Sequence, residues 1–587
     1  MNNIKKLLFI LAPKLQKKAR LLIVMILIMA LLDMIGVASI LPFISVLTDP
    51  SLVDTNKVLI TMFQVSQKLG VDDKQQFLFA LGILFFVTIV FSISFKAITN
   101  YFQIRFGAMC EHLIAKRLVE GYLHQPYSWF LNRNSSELAK NILSQVGLVV
   151  GGFIQPLMEL IAKGMVVIAL VTLLIIANPK VALIITFFVG TSYGLLYYFV
   201  GKYLNKLGKK NLLNNKLRFS IINEAFSGAK EVKVSSLEDK YVKRFSETAE
   251  NLVKSGALAL VIKQLPRFIL EIILFAGILL LILYMMSQKS DFLGVLPIIT
   301  LFLFAGYRLM PAAQQAYASF SQLKFIGPSI DNLYIDLKNL RKDNLNFNQD
   351  IIPPNKMITL KNLYFNYPNT SRSALKNINL TIPLNTKVGL VGVTGSGKTT
   401  IVDVILGLLE SSKGTLDVDG QIITKHNAKA WQRYIGYVPQ NIYLSDASIS
   451  ANIAFGKEPK EINQENVEKA SKIASLHEFV INELPEQYNT IIGERGIRLS
   501  GGQRQRIGIA RALYHKPKIL ILDEATSALD NQTEEAVMDA INNLNKEITI
   551  ILIAHRLNTV KNCDVVFQFK NGELVSKGKF DEIFDKN

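Results

Sequence analysis

The sequence predicts an all-α transmembrane domain of six helices fused to a C-terminal α/β domain. The chain has 587 residues, half of them hydrophobic, and its mean hydropathy is +0.29. A positive mean hydropathy is unusual for a soluble protein and is expected when part of a chain lies in a bilayer. The composition becomes polar near residue 336, and we therefore predict a membrane domain over 1–335, a linker over 336–357 and a second domain over 358–587.

Apolar segments long enough to cross a bilayer occur repeatedly in the first part of the chain. A membrane-spanning helix needs about 20 predominantly apolar residues. Tight turns at 178–180 and 287–291 join the third span to the fourth and the fifth to the sixth, whereas the connections before the third and fifth spans are long and polar. The candidate spans are residues 21–47, 77–101, 153–177, 181–203, 268–286 and 292–320.

The distribution of charge predicts the orientation in the membrane. The formal net charge is +19, and lysines and arginines concentrate before the first span and between residues 202 and 244. Cytoplasmic loops carry such an excess, so we expect the N-terminus and the second domain to be cytoplasmic. This bias explains the charge without a nucleic-acid partner. The cysteines, Cys110 and Cys563, lie far apart and predict neither a disulfide framework nor a zinc site.

A glycine-rich loop in the second domain predicts a phosphate-binding site. Gly392-Val-Thr-Gly-Ser-Gly-Lys-Thr fits GxxxxGK[ST], with a strand-like run before it and an apolar helix start after it. Backbone N–H groups of such a loop surround phosphates, the lysine reaches the β- and γ-phosphates, and the final hydroxyl binds Mg²⁺. We therefore assign Lys398 to the phosphates and Thr399 to the metal. An ordinary glycine turn is the competing explanation of the motif taken alone.

A second motif in the same domain argues against an ordinary glycine turn. Leu499-Ser-Gly-Gly-Gln503 opens an apolar helix, and a buried strand, Ile519-Leu-Ile-Leu, then ends in Asp523 and Glu524. Ligands of open α/β sheets bind beyond the carboxyl ends of the strands. Asp523 is therefore placed to hold Mg²⁺ through water, and Glu524 to polarise the attacking water.

From about residue 358 to the C-terminus these motifs, in this order, resemble the nucleotide-binding domain of the ATP-binding cassette family. The resemblance implies that Tyr367 stacks on adenine and that Glu524, His555 and Gln440 are the catalytic residues. In this set His555 contacts the γ-phosphate and Gln440 senses Mg²⁺. The resemblance also implies an exporter-specific loop at 493–496 and a D-loop at 527–530. The ATP-contacting residues it implies are Tyr367, Gly392, Thr394, Gly395, Ser396, Gly397, Lys398, Thr399, Thr400, Ser500, Gly501, Gly502 and Gln503, with Thr399, Gln440 and Asp523 at the metal.

The domain order resembles the half-transporters among the exporters of this family. Such cassettes work in head-to-tail pairs, so one cassette per chain implies a dimer, most simply a homodimer. The helix starting at Ser500 then offers its N–H groups to the γ-phosphate bound by the partner. The resemblance further implies short coupling helices, for which 132–144 and 223–233 are the candidates. Solvated charged loops are the alternative for both segments.

The membrane half resembles the flippases of lipid-linked oligosaccharides. The likeness rests on Asp33 nine residues before Pro42-Phe43-Ile44, on Pro266-Arg267-Phe-Ile-Leu-Glu271 and on Tyr307-Arg308-Leu-Met-Pro311. It implies that Lys96, Arg267 and Arg308 receive the pyrophosphate of a polyprenyl-linked glycan. Cations near the inner ends of spans also reach the headgroups without any such role.

The function expected from this resemblance is ATP-driven movement of a lipid-linked oligosaccharide to the outer leaflet, for protein glycosylation, in the inner membrane of a bacterial cell. Export of peptides, drugs or simple lipids is one alternative, and a membrane-bound regulatory ATPase without transport is another. Asp33 has no partner evident in the sequence. Residues 56–69 form either an external helix linked to the lipid tail, as the resemblance implies, or an ordinary amphipathic loop helix.

Overall fold

The chain forms two compact units. The computed structural model describes residues 3–11, 13–68, 70–287, 292–340, 353–368, 370, 372–493, 496–525, 529–543, 548–554 and 557–584. The first unit comprises Met1–Gln125 and Arg133–Lys342, and the second comprises Pro126–Asn132 and Asp343–Asn587. A short stretch of the first long loop therefore belongs to the second unit.

The first unit is built from long helices. Four of these helices contain about 50 residues each, so each extends well beyond a bilayer at ~1.5 Å of rise per residue. The four are Lys74–Leu123, Pro179–Ser227, Glu238–Ser287 and Phe292–Asn339. Two π-helical segments, Asn141–Gln145 and Val150–Ile154, lead into α10. The helices are α1 Asn3–Ile10, α2 Pro13–Ala38, α3 Ile40–Thr48, α4 Leu52–Thr55, α5 Lys57–Gln67, α6 Lys74–Leu123, α7 Tyr127–Phe130 (in the second unit), α8 Ser135–Lys140, α9 Val146–Val149, α10 Gln155–Ala177, α11 Pro179–Ser227, α12 Ala229–Val234, α13 Glu238–Ser287 and α14 Phe292–Asn339.

The long helices coincide with the six predicted spans. By length and composition, Pro13–Thr48, Lys74–Leu123 and Ser135–Ala177 can cross a membrane, and α11, α13 and α14 contain the other three apolar segments. Large apolar side chains such as Phe79 and Phe86 are 73% and 68% exposed, as lipid-facing side chains are. The predicted turn between the third and fourth spans is confirmed, because α10 ends at Ala177 and α11 begins at Pro179. Most of the turn predicted at 287–291 lies outside the described residues.

The segment predicted as an external or loop helix forms α5. The Asn56 side chain accepts a hydrogen bond from the Val58 N–H at 3.0 Å and caps the helix. Leu59 is buried in a cluster with Phe77, and the ring centroids of Phe63 and Phe77 are 5.1 Å apart. The apolar face of α5 is thus covered by protein among the described residues.

The second unit is an α/β domain with two sheets. A four-stranded antiparallel sheet has the order β2-β1-β4-β5, and a six-stranded sheet has the order β10-β9-β3-β8-β7-β6, parallel except for β10. The strands are β1 Met357–Asn366, β2 Ser373–Pro383, β3 Lys387–Gly392, β4 Lys413–Val418, β5 Gln421–Ile423, β6 Ile435–Val438, β7 Ile519–Asp523, β8 Thr549–Ile553, β9 Val565–Lys570 and β10 Glu573–Gly578.

Helices cover the parallel sheet. Every residue of β7 and β8 is buried, which is typical of strands covered on both faces. Two apolar cores follow, one around Trp431 and Phe567 and one around Tyr514 and Val537. The helices are α15 Lys398–Ile405, α16 Ala428–Gln432, α17 Ile449–Ile453, α18 Gln464–Ile473, α19 His477–Glu483, α20 Gly501–Tyr514, α21 Asn531–Asn543, α22 Leu557–Val560 and α23 Phe580–Phe584. The predicted fold class is confirmed.

The limits of the predicted linker and coupling segments can be compared with these elements. Helix α14 runs to Asn339 and β1 begins at Met357, and residues 341–352 lie outside the described part of the chain. The loop segment that joins the second unit is Pro126–Asn132, which overlaps the predicted 132–144 only at Asn132. The coupling role of the first segment, 132–144, stays a prediction. The second, 223–233, covers the end of α11 and most of α12, and its coupling role stays a prediction.

Candidate active site

The loop between β3 and α15 has the backbone that phosphate binding needs. Gly392 and Gly397 have φ values of +152° and +104°, which side chains with a Cβ rarely adopt. A Cβ on Gly392 would lie 2.3 Å from the carbonyl oxygen of Phe569, so only glycine fits there. The loop ends at Lys398, the first residue of α15, and the free N–H groups of this helix point back into it.

The polar side chains of this loop are arranged for an anion. Lys398 is 5% exposed, and its ammonium donates to the carbonyl oxygens of Gly392 and Val393 at 2.8 and 3.3 Å. Burial lowers the pKa of Lys398, while the charges of Glu524 and Asp523 oppose that shift. The Ser396 hydroxyl is buried, and no hydrogen-bond partner reaches it within the described part of the chain. A buried polar atom without a partner is costly, so this loop fits a ligand that supplies acceptor oxygens.

The acids predicted at the end of β7 lie at the same edge of the sheet as the loop. Asp523 is 4% exposed and accepts a hydrogen bond from the Tyr437 hydroxyl. Glu524 has a φ of +50°, and its N–H donates to the Ile553 carbonyl at 3.1 Å. The Gln440 amide donates to Glu524 Oε2 at 2.8 Å. This contact joins two residues that the sequence predicts to be catalytic, of which Gln440 is also predicted at the metal.

A further carboxylate, that of Asp403 on α15, lies in the same buried environment as Asp523. Burial, reinforced by the charge of Asp523, raises the pKa of Asp403 to about 6. Burial also raises the pKa of Tyr437, and the charges of Asp523 and Asp403 add to the shift. A divalent cation would offset the repulsion between the carboxylates, and Thr399, Gln440 and Asp523 are the side chains that would hold Mg²⁺. When bound, the ion neutralises charge on the phosphates.

Sequence reasoning missed Asp403, Tyr437 and Tyr127 at this site. The pKa of Tyr127, in the loop segment of the second unit, is raised by burial and then by the charges of Asp403 and Tyr367. The signal for Asp403 was visible, since it interrupts the apolar run Ile401-Val402-Asp403-Val404 on a buried helix. The signal for Tyr127 was weak, because only its tertiary packing distinguishes it from any loop tyrosine.

Tyr367 lies beside the start of α15. Its hydroxyl and the Thr400 hydroxyl are 3.0 Å apart, and its ring packs edge-on against Phe365 with 5.0 Å between centroids. The side chain is half-buried, so part of the ring remains free. Its predicted stacking on adenine fits this place and stays a prediction.

The signature segment forms a capped helix start. The Ser500 hydroxyl accepts from the Gln503 N–H at 3.2 Å, and the Gln503 side chain accepts from the Ser500 N–H at 2.8 Å. The hydrogen bonds of this capping box use the N–H groups of Ser500 and Gln503 and not those of Gly501 and Gly502. The helix beyond, α20, is buried along one face.

The remaining predicted site residues lie either outside the described residues or on the exposed part of the phosphate-binding loop. His555 lies outside the described residues, as do residues 494–495 of the exporter-specific loop and 526–528 around the D-loop. Thr394, Gly395 and Thr399 are described and exposed on the phosphate-binding loop. Their predicted contacts with ATP stay predictions.

The predicted cargo cations differ in their surroundings. Arg308 on α14 forms an ion pair with the buried Asp33 on α2, and the Ser92 hydroxyl donates to the same carboxylate at 3.3 Å. Arg267 is exposed and pairs with Glu271 one turn along α13, at 2.9 Å. Lys96 is exposed and forms no ion pair with another described residue.

A fourth cation, Lys163 on α10, was missed. It is half-buried and lies within electrostatic range of Lys96, Asp33 and Glu159. Glu159 accepts hydrogen bonds from Gln315 at 2.7 Å and from Ser319 at 3.1 Å. The structure therefore brings Lys96, Lys163, Arg308 and Asp33 into one charged cluster (the intramembrane charge cluster), whereas no described contact joins Arg267 to it.

Comparisons with known proteins match both halves of the chain. The family described as ABC transporter transmembrane region matches residues 17–311, and the family described as ABC transporter matches residues 375–527. The chain is 30% identical over 492 residues to an ATP-dependent lipid A-core flippase of Saccharophagus degradans, covering 83% of this chain and 82% of that protein. It is also 30% identical over 497 residues to the protein of that name in Wigglesworthia glossinidia brevipalpis, covering 83% and 84%.

A solved structure is similar over almost the whole chain. It is described as a bacterial Atm1-family ABC exporter with ATP bound, and it aligns with a TM-score of 0.77 over 97% of this chain and 96% of that one. The sequence identity is 20%, so this likeness bears on the fold. It supports a helical membrane domain followed by a nucleotide-binding domain.

Proposed function

This chain belongs to the ABC transporter family, as the half-transporter of an ATP-driven exporter, and on that premise we propose that it flips a phosphate-bearing glycolipid. The finer assignment is a polyprenyl-pyrophosphate-linked oligosaccharide, moved from the cytoplasmic to the outer leaflet. The ATPase half is common to exporters of many cargoes, so the support for this cargo comes from the membrane half.

The intramembrane charge cluster is the observation that carries the proposal. Charged side chains within apolar helices cost about 2.5–3.5 kcal/mol each on insertion scales and mark functional sites. Here Lys163 lies within range of a second cation, Lys96, and neither forms an ion pair with a described residue. Asp33 and Glu159 also lie within electrostatic range of Lys163, but Asp33 pairs with Arg308, so the cluster keeps an excess of positive charge that a bound anion would balance. A pyrophosphate group supplies that anion.

Arg308 can bind the cargo phosphate only after its guanidinium releases the Asp33 carboxylate. In this structure its guanidinium is held by Asp33. A phosphate can accept the same paired hydrogen bonds as a carboxylate, so an arriving pyrophosphate competes with Asp33 for Arg308. The lysines attract the ligand first, and the arginine then binds it with directional contacts.

A glycolipid of the lipid A-core type is the second candidate. The relatives matched over more than four fifths of their length are named lipid A-core flippases. Both candidates are amphiphiles that an exporter would take from the cytoplasmic leaflet. They differ in the anchor and the glycan, which the same assay can separate.

Two copies of this chain form the working transporter. The chain carries one phosphate-binding loop and one capped helix start at Ser500, which are complementary halves of an ATP site in a head-to-tail pair. Glu524 acts as the base that polarises water, with Gln440 orienting its carboxylate. The cassettes close on ATP and reopen after hydrolysis.

The test is leaflet exchange in proteoliposomes. The full chain is reconstituted with a fluorescent undecaprenyl-pyrophosphate glycan or, in a parallel arm, a fluorescent lipid A-core glycolipid. We expect ATP-dependent exchange of the first lipid, abolished in Glu524→Gln and reduced at least tenfold in Lys96→Gln/Lys163→Gln. Lys263→Gln removes a half-buried lysine of α13 outside the cluster and serves as the matched control.

Each arm decides one part of the proposal. Exchange of the lipid A-core glycolipid alone would replace the first cargo by the second. ATP hydrolysis without exchange of either lipid would contradict the glycolipid assignment, and peptides and simple lipids would then be tested. Equal loss of exchange in Lys263→Gln would show that the cluster has no special part in binding.

A further inference from the structure

A basic groove lies between helices α11 and α14, outside the intramembrane charge cluster. Lys202, Lys206 and Lys209 line it from α11, Lys324 lines it from α14, and Tyr198 lies at one end. Its volume is about 510 Å³, enough for a lipid headgroup. We call this feature the lysine groove.

The spacing of the lysines makes the lysine groove a single surface. Residues 202, 206 and 209 recur at intervals of four and three, so they project from one face of α11. A Cβ on Gly208 would lie 1.9 Å from the backbone oxygen of Phe325, so the two helices touch there without an intervening side chain. This close approach lies next in sequence to Lys209 on α11 and Lys324 on α14, two of the lysines that line the groove.

The three lysines that α11 contributes to the lysine groove form no ion pairs within the described part of the chain. None of Lys202, Lys206 and Lys209 forms an ion pair with another described residue, and none of the residues that line the groove is acidic. The Lys202 ammonium lies 5.6 Å from the centre of the Tyr198 ring. Like charges one turn apart destabilise a helix, so an anion from outside the chain would stabilise this arrangement.

The position along α11 indicates the source of that anion. The apolar run of the fourth span ends where the lysines begin. Tyr198, Phe199 and Tyr203 are 65%, 69% and 47% exposed, and exposed aromatic side chains concentrate at membrane–water interfaces. The groove therefore lies at the level of the headgroups on the side of the basic loops, the cytoplasmic side.

We propose that the lysine groove is a binding site for the phosphate headgroup of an anionic lipid in the cytoplasmic leaflet. Basic pockets between membrane helices on this side bind such headgroups. The phosphate contacts the lysines, and the exposed aromatic rings border the glycerol and acyl chains. The site does not depend on the cargo, so it stands or falls separately from the glycolipid assignment.

The test measures lipid retention by native mass spectrometry. The full chain is purified in detergent, stripped of lipid and titrated with phosphatidylglycerol, cardiolipin or phosphatidylcholine. The groove variant is Lys202→Gln/Lys206→Gln/Lys209→Gln. The control variant, Lys210→Gln/Lys240→Gln/Lys243→Gln, removes the same charge from exposed lysines that do not line the groove and form no ion pair with described residues.

Each lysine near an anionic surface strengthens binding by a factor of about five, so loss of three should weaken retention of the anionic lipids by about 100-fold. We expect the control variant to retain them within a factor of about three, and phosphatidylcholine to bind wild type no better than the groove variant. Circular dichroism and gel filtration check folding. If the triple variant does not fold, Lys206→Gln alone should still lose about fivefold.

Three results would overturn the proposal. Equal losses in the groove and control variants would mean that the basic loops attract lipid without a defined site. Phosphatidylcholine carries a phosphate but no net charge, so binding equal to that of the anionic lipids would mean that the net negative charge of the headgroup does not determine binding. A competition arm with inorganic pyrophosphate separates the sources: if it binds as tightly as the lipid, the ligand is a soluble phosphate.

Discussion

Replacing Arg308 by glutamine tests whether the ion pair between α2 and α14 supports the membrane unit. The side chains of Asp33 and Arg308 are 6% and 15% exposed, so both charges are largely desolvated. After Arg308→Gln, the Asp33 carboxylate keeps a hydrogen bond from Ser92 at 3.3 Å but loses its countercharge. Removing one partner of a buried pair costs about 3–5 kcal/mol in soluble proteins.

The expected loss in this chain is at the lower end of that range. Polar interactions between membrane helices measure smaller than their soluble counterparts, so we expect about 3 kcal/mol. Asp33→Asn should cost less, because the unpaired Arg308 still lies over the Phe304 ring, 5.7 Å from its centre. The double variant should lose less than the two single losses summed, by about 2 kcal/mol.

The assay is thermal unfolding of the purified chain in detergent, followed by intrinsic fluorescence. At about 2 °C per kcal/mol for a large domain, Arg308→Gln should lower the midpoint by about 6 °C. Arg267→Gln is the matched control, since its pair with Glu271 is exposed and worth only about 0.5 kcal/mol. Equal shifts for Arg308→Gln and Arg267→Gln, or strictly additive single losses, would refute the reasoning.

Three further predictions concern packing, capping and pH. Gly208→Ala should destabilise the membrane unit by at least ~2 kcal/mol in the same thermal assay, because its Cβ would meet backbone at 1.9 Å, whereas Gly201→Ala meets nothing closer than 3.9 Å and should be tolerated. Ser500→Ala removes a helix cap and should cost about 1 kcal/mol in chemical denaturation, and Ser500→Thr should restore most of it. Burial and the neighbouring Asp523 raise the pKa of Asp403 to about 6, above its value in the unfolded chain. The ionised carboxylate therefore lowers the free energy of unfolding above pH 6, and this loss of stability disappears as the pH falls toward 4. Asp403→Asn should therefore raise the unfolding midpoint at pH 8 and have little effect at pH 4.5, and an equal effect at both would contradict the assignment.

The two motifs of the predicted nucleotide site could be recognised because each one is contiguous in sequence. The loop from Gly392 to Thr399 and the strand ending in Glu524 each carry a complete local pattern, and the structure places both at one edge of the parallel sheet. The spans were predictable for the same reason, since a helix in lipid satisfies its own backbone and needs only a contiguous apolar run. Even the turn at Asn178 follows from a local proline.

What the sequence did not reveal depends on packing between distant segments. Asp33 and Arg308 are separated by 275 positions, and no local pattern pairs them. Lys163 passed unnoticed because a single lysine in an apolar helix is also explained by its reach toward the headgroups. The contact of Gln440 with Glu524 spans 84 positions. In each case the chemistry was present in the sequence and the geometry was not.

Packing between helices, rather than a sequence motif, brings together the charged residues that we propose to bind the cargo. Lys96, Lys163 and Arg308 bring three positive charges, and Asp33 and Glu159 bring two negative ones. The cluster therefore carries one net positive charge, and its three cations lie on three different helices. Arg308 pairs with Asp33, whereas Lys96 and Lys163 form no ion pair with a described residue and are the cations that the proposed anion would contact first. The proposed cargo site therefore predicts that substitutions of these cations on α6, α10 or α14 change cargo binding and leave the ATP-binding residues of the second unit unchanged.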